Sequence, residues 1–426
     1  MSLIKNKSIF FKKKVYPRYN GLSLMNIPHT ILSHFGAEPF RPTLPSGFYK
    51  DLKDTSNTIL FLIDGLGWNL FEKTSRTNHL FKTIVKNKKI YQITSVFPPS
   101  TPAALTSLNT GLTPKEHGII EWFLYFKNLD SIIKTIPYEK VNTIDDKEKN
   151  QLPDNPKILF NGKTIFEYLA EKGIRSYCFL PEEYKDTTYT RAIMKKGIIV
   201  PYLNLKQLMQ KLKNRLKTVE NSYFYVYIPS VDNISHDYGP DSINVQKKVV
   251  KLANTLKTDF LEKLDDSTAK KTGIILVADH GQFPVNPLNT IYIDKYQEII
   301  NNLNKSNKGL TIFPTGNPRN VFLSVKKEKI KETVVFLKTL LKNKAEVILM
   351  NQKVINKLYG TGVSHKDFLN RIGNILILPN GKNMVWLEYL PGEKITFLGH
   401  HGGLGKDAMV IPLVISKASD LIYSFS

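Results

Sequence analysis

Residues 58–65 read TILFLIDG, a run of apolar, strand-forming residues that stops at Asp64 and a glycine. Two later runs are also apolar and strand-forming, YFYVYI at 223–228 and GIILVA at 273–278. Over residues 245–260, which lie between them, apolar residues recur at helical spacing. Strands that are apolar on both faces and alternate with amphipathic helices are typical of a parallel sheet covered on both sides. The sequence therefore predicts an α/β fold with a doubly wound, mostly parallel sheet and helices on both faces.

The composition of successive segments also predicts the domain organisation of the chain. Residues 1–26 contain six basic residues and no acidic one, and we expect a flexible or loosely docked basic arm there. Residues 27–290 and 385–426 are assigned to the α/β core. Residues 291–384 are dense in Asn and Lys, which predicts a smaller α+β insertion or cap. The strand pattern is expected to resume near residues 396–398.

The composition excludes several classes of protein. The chain has 426 residues, 42% hydrophobic and 23% charged, which is ordinary for a globular protein with a sizeable core. No apolar stretch approaches the roughly 20 residues that span a bilayer. The one cysteine, Cys178, excludes an internal disulfide framework and a cysteine zinc cage. Since the sequence also has no recognisable export signal, we expect an intracellular, cytoplasmic protein.

The net charge of +23 would attract polyanions such as phosphate-rich substrates or nucleic acid. In residues 205–217 and 330–341, however, the lysines lie off the apolar stripe, as on solvated helix faces. The sequence has no aromatic-basic groove motif. A solvated basic surface is therefore favoured over a dedicated nucleic-acid face, and nucleic acid is a less favoured partner.

Three of the predicted strands end at or near an acidic residue: Asp64, Asp232 and Asp279. Ligands of open α/β sheets bind outside the carboxyl ends of the strands, so these acids are expected at one site. Three carboxylates there would repel one another unless cations lay between them. Any one of them alone is more often a cap or turn residue. The interpretation as a binding site depends on all three acids lying at the same edge of the sheet.

Histidines accompany the acids. His236 lies four residues after the second acid, His280 directly follows the third, and His401 belongs to the GHHGG segment at 399–403. Carboxylates and imidazoles without sulfur suit zinc, manganese or related divalent ions. Successive side chains of an extended segment face opposite ways, so His400 and His401 are not expected to point inward together.

Residues 97–105 read FPPSTPAAL. Proline is favoured at the first helical position, which predicts Thr101 as the N-cap of a helix. The free N–H groups and the positive end of the helix dipole would then face an incoming anion. A hydroxyl there, in contact with a metal, could attack phosphorus, and Ser100 is the nearby competitor. By itself the segment is more often a plain capped helix start.

Together these motifs resemble the alkaline phosphatase superfamily, and most closely its type I phosphodiesterase/nucleotide pyrophosphatase branch. The resemblance covers roughly residues 58–405, and its motifs occur in the order of the family. They are FLIDG (61–65), FPPST (97–101), TGLTP (110–114), EHG (116–118), DNISHDYGP (232–240), DHG (279–281) and HGG (401–403). The resemblance implies an alkaline-phosphatase-like fold.

The resemblance also implies two metal sites, with zinc in both or manganese as the alternative. Their ligands would be Asp64, Asp279, His280 and the Thr101 oxygen for one metal, and Asp232, His236 and His401 for the other. Thr101 matches the family's nucleophile, since it precedes Thr110 by the family's interval of nine residues. His117 lies in the Glu-His-Gly motif and is expected to be structural.

The chain departs from the family pattern at two positions. Nucleotide pyrophosphatases have an asparagine that binds a phosphoryl oxygen 21 residues after the nucleophile, and here that position is Trp122. Pro102, directly after Thr101, also differs from the vertebrate pattern. The departures leave the substrate class and the third contact to the oxyanion open.

The expected reaction is hydrolysis of a phosphate ester or phosphoanhydride through a phosphoryl-threonine intermediate. Two metal ions can stabilise the attacking and leaving oxygens of such an in-line displacement. A phosphodiesterase/nucleotide pyrophosphatase is favoured. A phosphomonoesterase or phosphonate hydrolase on the same frame is the alternative, with a sulfatase or a phosphosugar mutase less favoured. A basic nucleic-acid-binding protein with a structural metal site is the alternative from another class.

Overall fold

The computed structural model describes residues 14–146 and 151–422. The strands, in chain order, are β1 Asn57–Ile63, β2 Ile90–Thr94, β3 Phe123–Phe126, β4 Ser131–Lys134, β5 Glu139–Lys140, β6 Arg175–Pro181, β7 Ile198–Tyr202, β8 Ser222–Ile228, β9 Thr272–Val277, β10 Phe283–Pro284, β11 Thr290–Tyr292, β12 Thr315–Asn317, β13 Asn320–Leu323, β14 Ala345–Leu349, β15 Ile375–Pro379, β16 Met384–Trp386, β17 Gly399–His400 and β18 Val410–Lys417.

The helices are α1 Asn26–His34, α2 Ser46–Tyr49, α3 Trp68–Ser75, α4 His79–Lys86, α5 Thr101–Thr110, α6 Pro114–His117, α7 Ile165–Glu171, α8 Thr188–Ile193, α9 Leu205–Leu216, α10 Ser230–Tyr238, α11 Ile243–Thr255, α12 Asp266–Lys270, α13 Gln297–Asn302, α14 Ile330–Leu341, α15 Gln352–Tyr359, α16 Phe368–Ile372, α17 Lys406–Met409 and α18 Ala418–Ile422. Short 3-10 turns connect several of them.

The main sheet has seven strands in the order β2-β18-β9-β1-β8-β6-β7. β1 lies between β8 and β9 and runs parallel to both, and β6 runs parallel to β7 and β8. β18 is antiparallel to its two neighbours. The central strands β1, β8 and β9 are buried along their whole length, as their unbroken apolar sequences require. The predicted mostly parallel α/β sheet is confirmed.

The helices pack in two groups against this sheet. Helices α1, α5, α7 and α8 contact one another, and a second group consists of α3, α4, α9 and α11. Local sequence fixes where individual helices begin. At the start of α7, for example, Thr164 and Glu167 form a reciprocal capping box, which satisfies two backbone N–H groups that have no partner within the helix.

A second sheet is antiparallel throughout and has the order β14-β15-β13-β12-β3-β4-β5. Side chains of β13 alternate: Val321 and Leu323 belong to a smaller core, and Phe322 belongs to the main one. The sheet therefore lies between two cores. It includes residues 123–140 as well as 315–379, so it extends outside the 291–384 segment predicted as an insertion. The predicted domain limits stay a prediction.

Two local predictions differ from the structure. Residues 396–398 are not a strand: this segment runs beside α10, where the Leu398 N–H donates to the carbonyl of His236 at 2.8 Å. The main sheet resumes only at β18. The described part of the predicted arm, residues 14–26, packs on the body of the protein. The Val15 N–H donates to the Leu404 carbonyl at 2.7 Å, and Leu24 is fully buried. Residues 1–13 lie outside the described part of the chain.

Within residues 14–146 and 151–422, no helix combines the length and the apolar character needed to cross a membrane. The cytoplasmic location inferred from the sequence stays a prediction.

Candidate metal centre and active site

Three acidic side chains meet at the carboxyl edge of the main sheet. Because β1, β8 and β9 are parallel neighbours, the chain leaves all three strands at the same edge. Asp64 directly follows β1, Asp279 follows β9, and Asp232 lies in the first turn of α10 just after β8. All three are buried, with exposures of 2%, 0% and 7%. The structure thus brings together three carboxylates that lie far apart in the sequence.

A glycine permits this close packing. Gly65 has a φ of 74°, and a Cβ at this position would lie 2.8 Å from the Cα of Asp232. A side chain here would meet both the strain of a left-handed backbone and a collision with α10. The glycine after Asp64 therefore allows α10 to lie directly against the end of β1.

In both Asp64 and Asp279, one carboxylate oxygen accepts hydrogen bonds and the other has no hydrogen-bond partner. The Tyr227 hydroxyl donates to Asp64 Oδ2 at 2.6 Å. The backbone N–H groups of Gly65 and His280 donate to Asp279 Oδ1 at 3.0 and 2.8 Å. Asp64 Oδ1 and Asp279 Oδ2 are buried and have no hydrogen-bond partner. Buried carboxylate oxygens of this kind are costly unless a cation compensates them.

The pKa shifts of Asp64 and Asp279 also indicate a site for a cation. Burial raises the pKa of Asp64 well above its ordinary value, and the charges of Asp279 and Asp232 raise it further. Burial also raises the pKa of Asp279, although the neighbouring His280 opposes this shift. A divalent cation between the unpaired oxygens would favour the ionised forms. The donor set of carboxylates and imidazoles therefore fits a metal such as zinc or manganese.

Asp232 is oriented in the same manner. The Gln282 amide donates to Asp232 Oδ1 at 2.5 Å, and Asp232 Oδ2 faces His236 Nε2 at 3.2 Å. The other ring nitrogen of His236, Nδ1, donates to the carbonyl of Gly399 at 2.8 Å. A carbonyl partner on Nδ1 fixes the tautomer that leaves Nε2 free to bind a metal.

Two overlapping groups have the spacing of metal sites, with potential ligand atoms within 4.8 Å of one another. They are Asp64, Asp279 and His280, and Asp232, His280 and His401. His280 belongs to both, since its Nε2 lies 3.2 Å from Asp279 Oδ2 and 3.5 Å from Asp64 Oδ1. The sequence interpretation gave His280 to the first metal and His236 to the second. The structure brings these predicted ligands together in a single cluster, which is buried except for the partly exposed His236.

Thr101 lies at this cluster, at the start of α5. Its hydroxyl is 3.2 Å from His280 Nε2. The prediction that Thr101 is the N-cap is wrong by one residue. Ser100 has extended φ and ψ of −144° and 150° and is the N-cap, and Thr101 is the first helical residue. Ser100 is fully buried and its hydroxyl donates to the Ile120 carbonyl at 3.4 Å, away from the acids.

His400 corrects a second expectation. Both His400 and His401 are buried, and both line the same cavity. The extended pairing of β17 ends at His400, so strand alternation does not continue to His401. The His400 Nδ1–H donates to the carbonyl of His401 at 3.0 Å, whereas His401 Nδ1–H donates to the Pro99 carbonyl at 3.1 Å. Of the two, only His401 belongs to a described group with metal-ligand spacing.

A cavity of about 700 Å³ opens above the cluster. Its floor includes Thr101, Asp64 and Asp232, and much of its wall is aromatic: Trp122, Phe123, Tyr184, Tyr189, Trp386 and Phe397. Lys134 and Glu139 of the second sheet also line it. The family's asparagine position is thus occupied here by an indole on the cavity wall.

Other residues have roles that the sequence motifs did not reveal. Tyr227 and Gln282 orient site acids, and only the position of Gln282 directly after the DHG motif could have indicated this.

His117 lies outside the cluster. It pairs with the Ser107 hydroxyl at 3.0 Å and accepts the Ile119 N–H at 3.1 Å, which agrees with the expected structural role.

Residues 58–404 match the family model described as type I phosphodiesterase / nucleotide pyrophosphatase. Human ectonucleotide pyrophosphatase/phosphodiesterase family member 1 is 26% identical over 281 residues, which cover 62% of this chain and 27% of that protein. The protein of Rattus norvegicus is 24% identical over 279 residues with the same coverage. The chain therefore spans only 27% of the length of these relatives.

Solved structures share the fold. Murine ectonucleotide pyrophosphatase/phosphodiesterase 5, in an inactive threonine-to-alanine form in complex with AMP, has a TM-score of 0.60 at 16% identity, covering 86% of this chain and 93% of that one. The human protein of the same name has a TM-score of 0.55 at 17% identity, covering 84% and 87%.

The match of residues 58–404 to this family, together with the carboxylates and imidazoles at the carboxyl edge of a mostly parallel sheet, places the chain in the alkaline phosphatase superfamily. Within that superfamily, the chain belongs to the type I phosphodiesterase/nucleotide pyrophosphatase family.

The unpaired buried oxygens predict that the metals stabilise the fold. The purified protein should carry about two divalent ions per chain. A strong chelator should remove them and lower the Tm, because the carboxylates lose their compensating charge. Elemental analysis and thermal unfolding before and after chelation test this, with zinc or manganese added back. Metal-free protein with an unchanged Tm after metal addition would contradict it.

The tandem histidines provide a matched pair of variants. His401→Ala should weaken zinc binding at least about tenfold, since the ring belongs to a ligand group and its Nδ1 is already held. His400→Ala should stay within about threefold, as its neighbour retains the ligand position. Competition titration with a zinc indicator measures both affinities. The reverse ranking would refute the assignment of His401.

Proposed function

We propose that the chain is a metal-dependent phosphodiesterase/nucleotide pyrophosphatase that works through Thr101. The observation that carries the proposal is the Thr101 hydroxyl, 3.2 Å from His280 Nε2, beside buried carboxylates with unpaired oxygens. The family model covering residues 58–404 supports the same reaction class.

The residues that would hold two zinc or manganese ions are the seven inferred from the motifs: Asp64, Thr101, Asp279 and His280 at one position, and Asp232, His236 and His401 at the other. Divalent metals bound there would supply Lewis acidity and positive charge to a phosphoryl group. Zinc is favoured because the donors are oxygen and imidazole nitrogen in a buried, compact set.

Thr101 is the proposed nucleophile. Its oxygen forms a bond to phosphorus as the hydroxyl proton passes to solvent, and the leaving oxygen departs with the electron pair of its broken bond to phosphorus. Water then attacks the phosphoryl-threonine and frees Thr101. The position of Thr101 at the start of α5 adds the positive end of the helix dipole to the site, which stabilises the negative charge of the phosphoryl group.

The aromatic wall supports a diester or anhydride substrate. A nucleotide base or another aromatic group would cover Trp122, Phe123 and Trp386, and a diester or anhydride can carry such a group in addition to its leaving group. The murine structural neighbour is described in complex with AMP, which supports a nucleotide as substrate here. A phosphomonoesterase or phosphonate hydrolase on the same frame is the second candidate.

The Thr101 hydroxyl should be essential for turnover. Thr101→Ala removes the attacking oxygen and one metal contact, so the rate should fall at least ~10³-fold, about 4 kcal/mol of barrier. Thr101→Ser keeps an oxygen in place and should retain measurable activity. Ser100→Ala is the matched control and should stay within about tenfold of wild type, since its hydroxyl is directed at the Ile120 carbonyl.

Quenching in acid should trap phosphate on the peptide that contains Thr101. An active Thr101→Ala variant beside an inactive Ser100→Ala variant would move the nucleophile to Ser100. Full activity in both variants would exclude the covalent route.

Substrate preference is measured with a nitrophenyl monoester, a matched nitrophenyl diester and a dinucleotide. We expect kcat/KM for the diester and the dinucleotide to exceed that for the monoester, because the aromatic wall contacts the second ester group. Trp122→Ala should narrow this difference, mainly through a higher KM for the diester. A monoester kcat/KM well above the diester value would favour the phosphomonoesterase alternative.

A further inference from the structure

A fully buried carboxyl group, Glu121, lies directly behind the loop that carries the nucleophile. Its Oε1 accepts hydrogen bonds from the amides of Asn317 and Asn320, at 2.7 and 3.0 Å. Its Oε2 accepts the Trp122 N–H at 2.8 Å. Burial raises the pKa of Glu121 to about 8, although Ser100 and these donors lower it. The group connects β3, the β12–β13 turn and the segment before Thr101, and none of the steps above uses it.

Asn317 is held at both ends of its amide. Its Oδ1 accepts the backbone N–H groups of Arg319 and Asn320, at 2.7 and 3.0 Å, and its Nδ2 donates to Glu121. Backbone donors on one side and a carboxyl on the other fix which atom is oxygen and which is nitrogen. An amide nitrogen carries two hydrogens, and Glu121 takes one of them. The second N–H is therefore held in a fixed direction.

Asn317 lines the cavity together with Thr101 and His401, although only 2% of the residue is exposed. It also packs against the loop after His401, since a Cβ on Gly402 would lie 3.3 Å from Asn317 Oδ1. The amide thus lies between the loop of the nucleophile and the loop of a candidate metal ligand. Trp122 presents an indole to the same cavity.

The neighbouring amide of Asn320 is different. It donates to the same Glu121 oxygen, but its own oxygen accepts the Gly403 N–H at 2.9 Å, and Asn320 does not line the cavity. The two asparagines therefore share one partner, and only Asn317 also faces the substrate space.

We propose that Asn317 donates its second amide N–H to a non-bridging oxygen of the phosphoryl group at Thr101, and that Glu121 is the positioning residue that fixes this amide. The inference rests on the proposed function, because it requires a phosphoryl group at Thr101. A donor held in place before the reaction stabilises negative charge without a cost of reorganisation. In this chain the second sheet thus supplies an amide to a site whose candidate metal ligands lie outside that sheet.

The first test is binding of inorganic phosphate to the full, metal-loaded chain, measured by calorimetry. Asn317→Ala should weaken phosphate binding about tenfold or more, as expected for a lost hydrogen bond to a charged group. Asn320→Ala, the matched control, should stay within about threefold, since it also loses a bond to Glu121 but does not reach the phosphate. Metal content and Tm should remain close to wild type in Asn317→Ala, and Asn317→Ser replaces it if the alanine variant does not fold.

The second test uses the Rp and Sp phosphorothioate diesters, because sulfur accepts hydrogen bonds poorly. Asn317→Ala should lower kcat/KM for one diastereomer and have little effect on the other, in which sulfur already replaces the contacted oxygen. Glu121→Met should reproduce this selective loss, and Glu121→Gln, which keeps an oxygen for the amide, should largely restore it. If Asn317 had only a structural role, the substitution would lower kcat/KM equally for both diastereomers.

Three outcomes overturn the proposal: unchanged phosphate affinity in Asn317→Ala, equal losses in the two asparagine variants, or a wild-type protein that binds no phosphate. The last of these would remove the proposed function as well. Phosphate binding without diester cleavage would refute only the proposed function, and the comparison of the two asparagine variants would still decide the role of Asn317.

Discussion

Mutual repulsion among three buried carboxylates is the constraint on which the site depends. Two like charges about 4 Å apart repel by about 4 kcal/mol at an effective dielectric constant of about 20. Asp64, Asp232 and Asp279 nevertheless meet where three parallel strands end. In each of them one oxygen is held by a neighbour, so the geometry is fixed before any cation arrives. The arrangement is electrostatically unfavourable without a cation, but it places the potential ligands of a divalent metal close together.

The parallel sheet provides the alignment, and residues outside the ligand set provide the orientation. Tyr227 comes from β8 and reaches across to Asp64, and Gln282 follows β9 and reaches Asp232. Each hydrogen bond thus connects one strand end to another. A shift of one strand relative to its neighbour would break these bonds, so the register of the sheet and the geometry of the site are coupled.

The part of the site that follows strand ends could be predicted from the sequence, because an apolar run followed by an acid is a local signal. Other side chains of the site could not, since Tyr227 and Asn317 lie far in sequence from their hydrogen-bond partners Asp64 and Glu121. The N-cap was misplaced by one residue because Pro102 occupies the second helical position, whereas proline is most favoured at the first. The inward position of His400 was missed because alternation holds only while β17 remains extended. The membership of the second sheet, which joins residues 123–140 to 315–379, depends on tertiary pairing with no local signal.

The two sheets divide the chemistry between them. Residues that follow strands of the main sheet provide Asp64, Asp232 and Asp279, and the proposed nucleophile Thr101 begins α5. The second sheet provides Phe123 of the aromatic wall and, through β12, the amide of Asn317. Trp122 directly precedes β3, at the junction between the two. Its indole occupies the place where the family carries an amide, and Glu121 beside it fixes an amide from another strand. We therefore expect a change in the second sheet to alter substrate binding while the candidate metal ligands keep their positions, because the two sets of side chains belong to different elements of the fold.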